Sequence, residues 1–221
     1  MATVNIKGDI IPNDLTWVYE WFGFDHTSPA MVKTVIDGAA EDETIDVIIN
    51  SGGGYVMAGQ EIYTELTKNP NVNIEIQSLA GSAASVIAMA GHSRISPVGM
   101  IMIHNVHMSG AAGDYHDMKK NAEILQRMNE ALAAAYVEKT GRDQDEILRL
   151  MDKETWLTAN QALELGFVDS IDGAEEAFAA SVSGMRLTED IRQQVIAEKA
   201  KAEAIEAKKQ ELLTDLDSYG I

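Results

Sequence analysis

The chain has 221 residues, no cysteine and a formal net charge of -18, from 17 basic and 35 acidic residues. The lack of cysteine excludes disulfides, thiolate zinc sites and a cysteine nucleophile, and the acidity argues against nucleic acid, whose phosphates require a basic face. Because no apolar run approaches the roughly 18 residues of a membrane span and the first residues lack a signal-peptide pattern, we predict a cytoplasmic protein with no membrane partner.

Short apolar runs and amphipathic segments alternate along much of the chain. The runs predict buried strands at 4–6 and 10–11, 45–49, 74–76 and 100–103. The amphipathic segments predict helices that begin at Ser28-Pro29, pass through Ala58, Ile62 and Leu66, and span 86–90 and 117–139, the last ending at Gly141. Strands that alternate with helices favour β-α-β units, so we expect an α/β fold with a largely parallel sheet.

Two further segments lie outside this alternation. Residues 17–24 hold five aromatic side chains, which we interpret as an anchored loop or a subunit contact. Residues 174–221 are rich in Ala, Glu, Lys and Gln and are only weakly amphipathic. We therefore predict one domain at 1–173 and a charged helical extension at 174–221.

Three consecutive glycines, Gly52, Gly53 and Gly54, follow a predicted strand and precede a helix. Glycine there lets backbone N–H groups point into an open site near the positive end of a helix dipole. Because the chain has no G-x-x-x-x-G-K-[ST] motif, a phosphate site is disfavoured. We interpret the turn as a candidate oxyanion hole and predict no cofactor.

Candidate nucleophile and base positions follow the next two strands. In Gly81-Ser82-Ala83-Ala84-Ser85 a serine entering a helix from a strand would be exposed to substrate, although small residues can also serve close helix packing. His104 follows the strand at 100–103, and the strand ends of a parallel sheet face one crevice.

A serine nucleophile needs a base, and the base needs an orienting acid. Spacing alone does not choose among the carboxylates that follow His104, which are Asp114, Asp117, Asp152, Glu154 and Asp169. We do not expect a metal site, because His104 and His107 stand three residues apart at a strand end and should point apart.

As a set, these motifs resemble the Clp protease proteolytic subunit (ClpP) family. The resemblance covers about residues 1–173 and is carried by Asn50-Ser51-Gly52-Gly53-Gly54, Gly81-Ser82-Ala83-Ala84-Ser85, Met102-Ile103-His104 and Trp156-Leu157-Thr158-Ala159. It implies a ClpP/crotonase-type fold and a serine endopeptidase that cleaves polypeptides inside a homo-oligomer, formed by a ring or by stacked rings.

The resemblance also implies roles for individual residues. It places the nucleophile on Ser85, the general base on His104, and the oxyanion-hole N–H groups on Gly54 and Val86. The triad acid falls on Glu154, with Asp152 as the alternative. An extended substrate would lie beside Gly52, Gly53, Ser109 and Gly110.

The aromatic segment and the charged extension are similar to those of ClpP-related proteases of phage and prophage head assembly. This narrower resemblance implies capsid maturation within a procapsid. It makes capsid or scaffold proteins, or an ATP-dependent unfoldase, the expected partners. Two alternatives stay open: a crotonase-type acyl-CoA enzyme that uses carboxylates as acid and base, and a non-catalytic capsid scaffold component.

Overall fold

The computed structural model describes residues 2–40 and 42–172. The predicted extension at 174–221 and its boundary lie outside the described residues. Within the described ranges the chain forms eight strands: β1 (Ala2–Ile10), β2 (His26–Thr27), β3 (Ile45–Gly54), β4 (Val72–Gly81), β5 (His92–Ile95), β6 (Met100–Ile103), β7 (Thr155–Thr158) and β8 (Ser170–Ile171).

The strands form one sheet in the order β2-β1-β3-β4-β5-β8, and every pairing along this path is parallel. The last residues of β4 pair with β6 instead of β5, again in parallel, and β6 pairs antiparallel with β7. The carboxyl end of β4 is therefore flanked by β3 and β6. This arrangement brings the glycine-rich end of β3, Ser82 and His104 to one edge of the sheet.

Helices connect most of the strands. Within the described ranges they are α1 (Thr16–Phe22), α2 (Pro29–Gly38), α3 (Val56–Thr67), α4 (Ala83–Ile87), α5 (Tyr115–Thr140), α6 (Gln144–Asp152) and α7 (Ala159–Glu164), with a 3-10 turn at Asn13–Leu15. The α/β architecture predicted from the alternation of strands and helices is confirmed.

The core follows from the spacing of apolar residues. In β3 the alternate residues Ile45, Val47 and Ile49 are fully buried, as expected for side chains that point to one face of a strand. Helix α3 buries a stripe at Ala58, Ile62 and Leu66. Burial of each large aliphatic side chain contributes roughly 1.5–3 kcal/mol, so these rows anchor the strand that carries the three glycines.

Helix α5 has two unlike halves. A reciprocal capping box between Asp114 and Asp117 starts it, and Gly141 ends it in a left-handed conformation at φ 67°. The second half packs on the body and buries Leu132 and Tyr136, whereas most of the first half is exposed. The packed half supplies one wall of the site described below.

Two local predictions are wrong. The strand expected at 45–49 does not end at the glycines, because its ladder with β1 continues to the pair Ile10–Gly54. The aromatic segment is not a loop but contains α1, which ends at Gly23 with φ 67°. The helix start at Ser28-Pro29 and the strand at 100–103 are confirmed. In the described ranges no helix combines the length and apolarity needed to cross a bilayer.

Candidate active site

Ser82 occupies the turn between β4 and α4 in an unusual backbone conformation, with φ 52° and ψ -123°. A non-glycine residue with positive φ costs of order 1–3 kcal/mol and persists only where its surroundings impose it. Here the Ser82 N–H donates to the Met102 carbonyl at 2.8 Å, which ties the turn to β6. The turn lifts the Ser82 side chain out of the sheet edge and toward the residue that follows β6.

That residue is His104. Its Nε2 lies 2.7 Å from Ser82 Oγ, within the range in which a histidine accepts a hydroxyl proton. The sequence prediction for His104, a histidine at a strand end facing the crevice, agrees with this position. The arrangement pairs a hydroxyl nucleophile directly with a base.

The structure places His104 beside Ser82, whereas the sequence analysis pairs this histidine with Ser85. Ser85 lies in α4, one helical turn further along, and its side chain is fully buried. Its hydroxyl donates to the Ser82 carbonyl at 2.6 Å, and its backbone N–H donates to the same oxygen at 2.9 Å. Ser85 therefore supports the Ser82 turn from beneath.

Tyr136 completes this support from α5. Its hydroxyl lies 2.7 Å from Ser85 Oγ, and since Ser85 already donates to Ser82, the phenol acts as the donor to Ser85. Burial raises the pKa of Tyr136 well above its usual value, although the hydrogen bond with Ser85 opposes this shift. The phenol thus stays protonated and keeps its donor role at physiological pH.

The glycine-rich end of β3 lies against the Ser82 turn. A Cβ on Gly53 would come within 2.6 Å of Ser82 Cβ and 2.9 Å of the Ala83 nitrogen. The Gly53 N–H is taken by Ser51 Oγ at 3.0 Å. Since the Tyr55 N–H donates to β1, the N–H of Gly54 points to the opposite side of the strand, toward β4.

Of the two residues predicted for the oxyanion hole, Gly54 ends β3 and Val86 lies in α4. With Ser82 beside His104, the N–H that follows the hydroxyl-bearing residue belongs to Ala83. Val86 lies further along α4 and is buried. A cleft beside Ser82 and His104 is lined by apolar side chains that include Val56, Val106 and Leu132. Of the other predicted substrate contacts, Gly52 lies in β3, whereas Ser109 and Gly110 lie on the exposed segment before α5.

The carboxylates considered as the triad acid form hydrogen bonds or ion pairs with other groups. Glu154 Oε1 accepts from the Trp156 indole at 3.2 Å, and Asp152 Oδ1 accepts from Asn105 Nδ2 at 2.8 Å. The remaining candidates lie elsewhere, since Asp114 and Asp117 cap α5 and Asp169 pairs with Lys139.

A histidine that sequence reasoning set aside lies beside the base. His107 Nε2 is 2.9 Å from His104 Nδ1, and the two rings are 4.8 Å apart at 36°. The expectation that these histidines point apart is wrong, because the chain leaves the strand after Ile103 and bends back. Among the described residues no group of three or more metal-ligating side chains could hold an ion.

Sequence reasoning missed Ser82, Ala83, Tyr136 and His107. The signal for Ser82 was present, because it follows directly on the glycine that ends β4, whereas Ser85 stands a turn inside the helix. No local sequence pattern could have shown the contacts of Tyr136 with Ser85 and of His107 with His104, since both depend on how the chain folds.

Together, the parallel sheet and the serine–histidine pair at the carboxyl end of β4 define a candidate serine-hydrolase site built on a strand–helix turn. The family described as Clp protease matches residues 27–175, and the chain belongs to that family. Its ClpP/crotonase-type fold is thereby confirmed, and with it the prediction of a Clp-type serine peptidase.

One relative is the ATP-dependent Clp protease proteolytic subunit 1 of Leifsonia xyli subsp. xyli (strain CTCB07). It is 29% identical over 180 residues, which cover 77% of this chain and 91% of the relative. The similarity thus extends over nearly the whole of that subunit.

Proposed function

We propose that this protein is a serine endopeptidase in which Ser82 is the nucleophile and His104 the general base. The observation that carries the proposal is the 2.7 Å contact between Ser82 Oγ and His104 Nε2. Ser85, to which the family resemblance assigned the nucleophile, instead has a buried supporting role.

In the first step, Ser82 Oγ attacks the carbonyl carbon of the scissile peptide while His104 Nε2 takes the hydroxyl proton. The tetrahedral intermediate collapses when His104 returns that proton to the leaving amine, which leaves an ester on Ser82. Water then attacks the ester and gives a proton to His104, which passes it to Ser82 Oγ as the ester bond breaks and the second product leaves as a carboxylic acid. Atoms and protons balance at each step without a cofactor.

The oxyanion of the intermediate needs donors already in place, because preorganised N–H groups are the main source of its stabilisation. We assign the Ala83 N–H, which follows the nucleophile, and the Gly54 N–H, which points from β3 toward β4. The close approach of Gly53 to both Ser82 and Ala83 supports this assignment. The absence of a side chain at Gly53 keeps the space between the two donors open.

The substrate class is polypeptide, and the apolar cleft beside Ser82 supports recognition of an extended chain with apolar side chains. The exposed first half of α5, which presents Tyr115, Met118 and Ile124, supports assembly into a ring or stacked rings. Capsid maturation, with capsid or scaffold proteins as partners, and cooperation with an ATP-dependent unfoldase remain predictions from the sequence.

A fluorophosphonate probe tests the nucleophile directly. The Ser82 oxygen should displace fluoride, and mass spectrometry should find the adduct on Ser82. Ser82→Ala should abolish both labelling and cleavage of an unfolded polypeptide. Ser85→Ala, the matched control three residues away, should still be labelled. An adduct on Ser85, or cleavage by Ser82→Ala, would contradict the assignment.

A further inference from the structure

We propose that His107 is a positioning residue for the base, so that Ser82, His104 and His107 form a hydrogen-bonded relay. This inference rests on the proposed function, because it assigns the partner of the same general base. It differs from the sequence prediction, in which a carboxylate at Glu154 or Asp152 has that role.

The relay follows from the tautomer that catalysis requires. For His104 Nε2 to take the Ser82 proton, the proton of the neutral ring must be on Nδ1, where it needs an acceptor. His107 Nε2 lies 2.9 Å from that nitrogen. A neutral His107 with its own proton on Nδ1 offers a lone pair there and selects the productive tautomer of His104.

The position of His107 is supported by the chain between the two rings. The backbone N–H of Val106 donates to Asn129 Oδ1 on α5 at 2.8 Å. The side chain of Asn105 donates to Asp152 at the end of α6. These two anchors hold the bend that turns His107 back onto His104.

Charged residues stand at the end of α6 and on the turn that follows it, where Asp152 contacts Asn105 and precedes Lys153 and Glu154. Glu154 follows the β6–β7 register, in which Ile103 stands opposite Thr155, so it comes next to the level of His104. Its carboxylate accepts from the Trp156 indole. Glu154 is therefore the competing candidate, and the experiment must separate it from His107.

The two candidate acceptors for the His104 proton, the His107 imidazole and the Glu154 carboxylate, differ in their response to acid. A second imidazole loses its lone pair when it is protonated, and a cation then stands beside the ring that must take the proton. Both rings must be neutral in the active form, so protonation of either ring inactivates the pair. A carboxylate partner would leave one imidazole to titrate.

The experiment compares two substitutions of His107 in the full-length protein. His107→Gln keeps an acceptor that does not titrate, whereas His107→Leu removes the acceptor. His116→Gln, at the exposed start of α5, is the matched control, and Glu154→Gln tests the competitor. Each variant is assayed for peptide hydrolysis and for the rate of fluorophosphonate labelling at Ser82 across the acid range.

His107→Leu should lower kcat by at least about 10-fold with little change in KM, since a general base contributes about 10²–10⁴-fold. His107→Gln should retain most of the kcat that His107→Leu loses. In acid, log(kcat/KM) should reach a limiting slope of about 2 for the parent protein and about 1 for His107→Gln. Circular dichroism of each variant over the same pH range shows whether the loss of activity reports protonation or acid unfolding.

Unchanged kcat in His107→Leu, or a large loss in Glu154→Gln with a slope of about 1 in every variant, would overturn the relay and leave Ser82 and His104 in place. Labelling at a residue other than Ser82 would overturn both the relay and the proposed function. The two failures are therefore distinguishable.

Discussion

The turns on either side of His104 make an instructive pair. Among the described residues, two that are not glycine have a positive φ: Ser82 at 52°, after β4, and Glu154 at 49°, before β7. Strand β6 lies between them and ends at His104. Both residues are thus held in a strained conformation beside the same histidine.

Their surroundings differ. The Ser82 carbonyl accepts two hydrogen bonds from the buried Ser85, which is supported in turn by the buried Tyr136. The Glu154 N–H donates to Met151, and its carboxylate meets the indole of Trp156, which is 42% exposed. The buried hydrogen bonds keep the Ser82 turn in its strained conformation. The Glu154 side chain is instead held at the surface, so it can change partners at a small cost in free energy.

The largest predicted effect comes from filling the space above the nucleophile. Gly53→Ala places a Cβ within 2.6 Å of both Ser82 Cβ and the Gly81 carbonyl, at φ 102°. We expect hydrolysis to fall by more than about 10²-fold, since small displacements of reacting groups have effects of this size. Steady-state kinetics measures the loss.

The control for this substitution is Gly38→Ala. A Cβ on Gly38 would meet nothing within 4 Å, so activity should be unchanged. Circular dichroism and thermal melting of both variants separate displacement of Ser82 from unfolding. Equal activity in the two variants would show that the turn tolerates a displaced backbone.

The choice between the two serines shows where sequence reasoning stops. Strands such as 45–49 and helices such as α5 could be predicted, because burial imposes periods of two and 3.6 on the apolar residues. The motif at 81–85 presents two serines among small residues, and three positions along a helix turn a side chain through most of a turn. Which serine faces the cleft depends on where β4 ends.

Contacts between residues that are distant in sequence also limit the prediction elsewhere in the chain. The glycines after Asn50 predict the end of a strand, yet pairing with β1 keeps the chain extended to Gly54. His107 and Tyr136 reach the site from a bend and from a distant helix. Glu154 directly precedes Thr155, which pairs with Ile103, but its carboxylate accepts a hydrogen bond from the nearby Trp156 indole. Side-chain partners of this kind are decided by packing rather than by spacing.

The second prediction removes the support beneath the nucleophile. Tyr136→Phe deletes the phenol that donates to Ser85 and leaves the rest of the ring in place. Because a buried acceptor loses its donor, we expect the free energy of unfolding to fall by about 1–2 kcal/mol. We expect kcat to fall several-fold as the Ser82 turn loosens. Urea denaturation and steady-state kinetics measure the two effects.

Tyr63→Phe is the matched control for Tyr136→Phe. The Tyr63 hydroxyl donates to Glu138 at 3.3 Å on the exposed surface, so its removal should change stability by less than about 0.5 kcal/mol. Similar losses in the two variants would contradict a special role for the buried phenol.

The third prediction measures the strain in the two turns. Glycine adopts a positive φ without the Cβ penalty, whereas alanine retains it. At position 82 and at position 154, the glycine variant should be about 1 kcal/mol more stable than the alanine variant. Urea denaturation of the four variants gives the two differences. An alanine variant as stable as its glycine counterpart would show that the turn has relaxed.

The smallest predicted effect tests the attachment of the helix that carries Tyr136. Three residues along α5, Lys139 pairs with Asp169, which also accepts from the Ser93 N–H at 2.7 Å. Burial acts to raise the pKa of Asp169, but the hydrogen bond from Lys139, the Ser93 N–H and nearby positive charge outweigh it and lower that pKa. A carboxyl whose pKa is lowered on folding stabilises the protein above its unfolded pKa, and this contribution is lost as pH falls through the folded pKa.

Asp169→Asn should therefore reduce the free energy of unfolding by about 1 kcal/mol at neutral pH, a value kept small because the carboxylate is partly exposed and screened. The difference from the parent protein should begin to shrink at about pH 4, where the unfolded carboxyl takes up its proton, and should disappear as pH falls through the lower pKa of the folded state. Urea denaturation across this range measures the difference. If the difference stayed constant with pH, the ionised carboxylate would not be the stabilising form. If Asp169→Asn lowered kcat as much as Tyr136→Phe, the support beneath Ser82 would depend on the surface ion pair as well as on the buried hydroxyls.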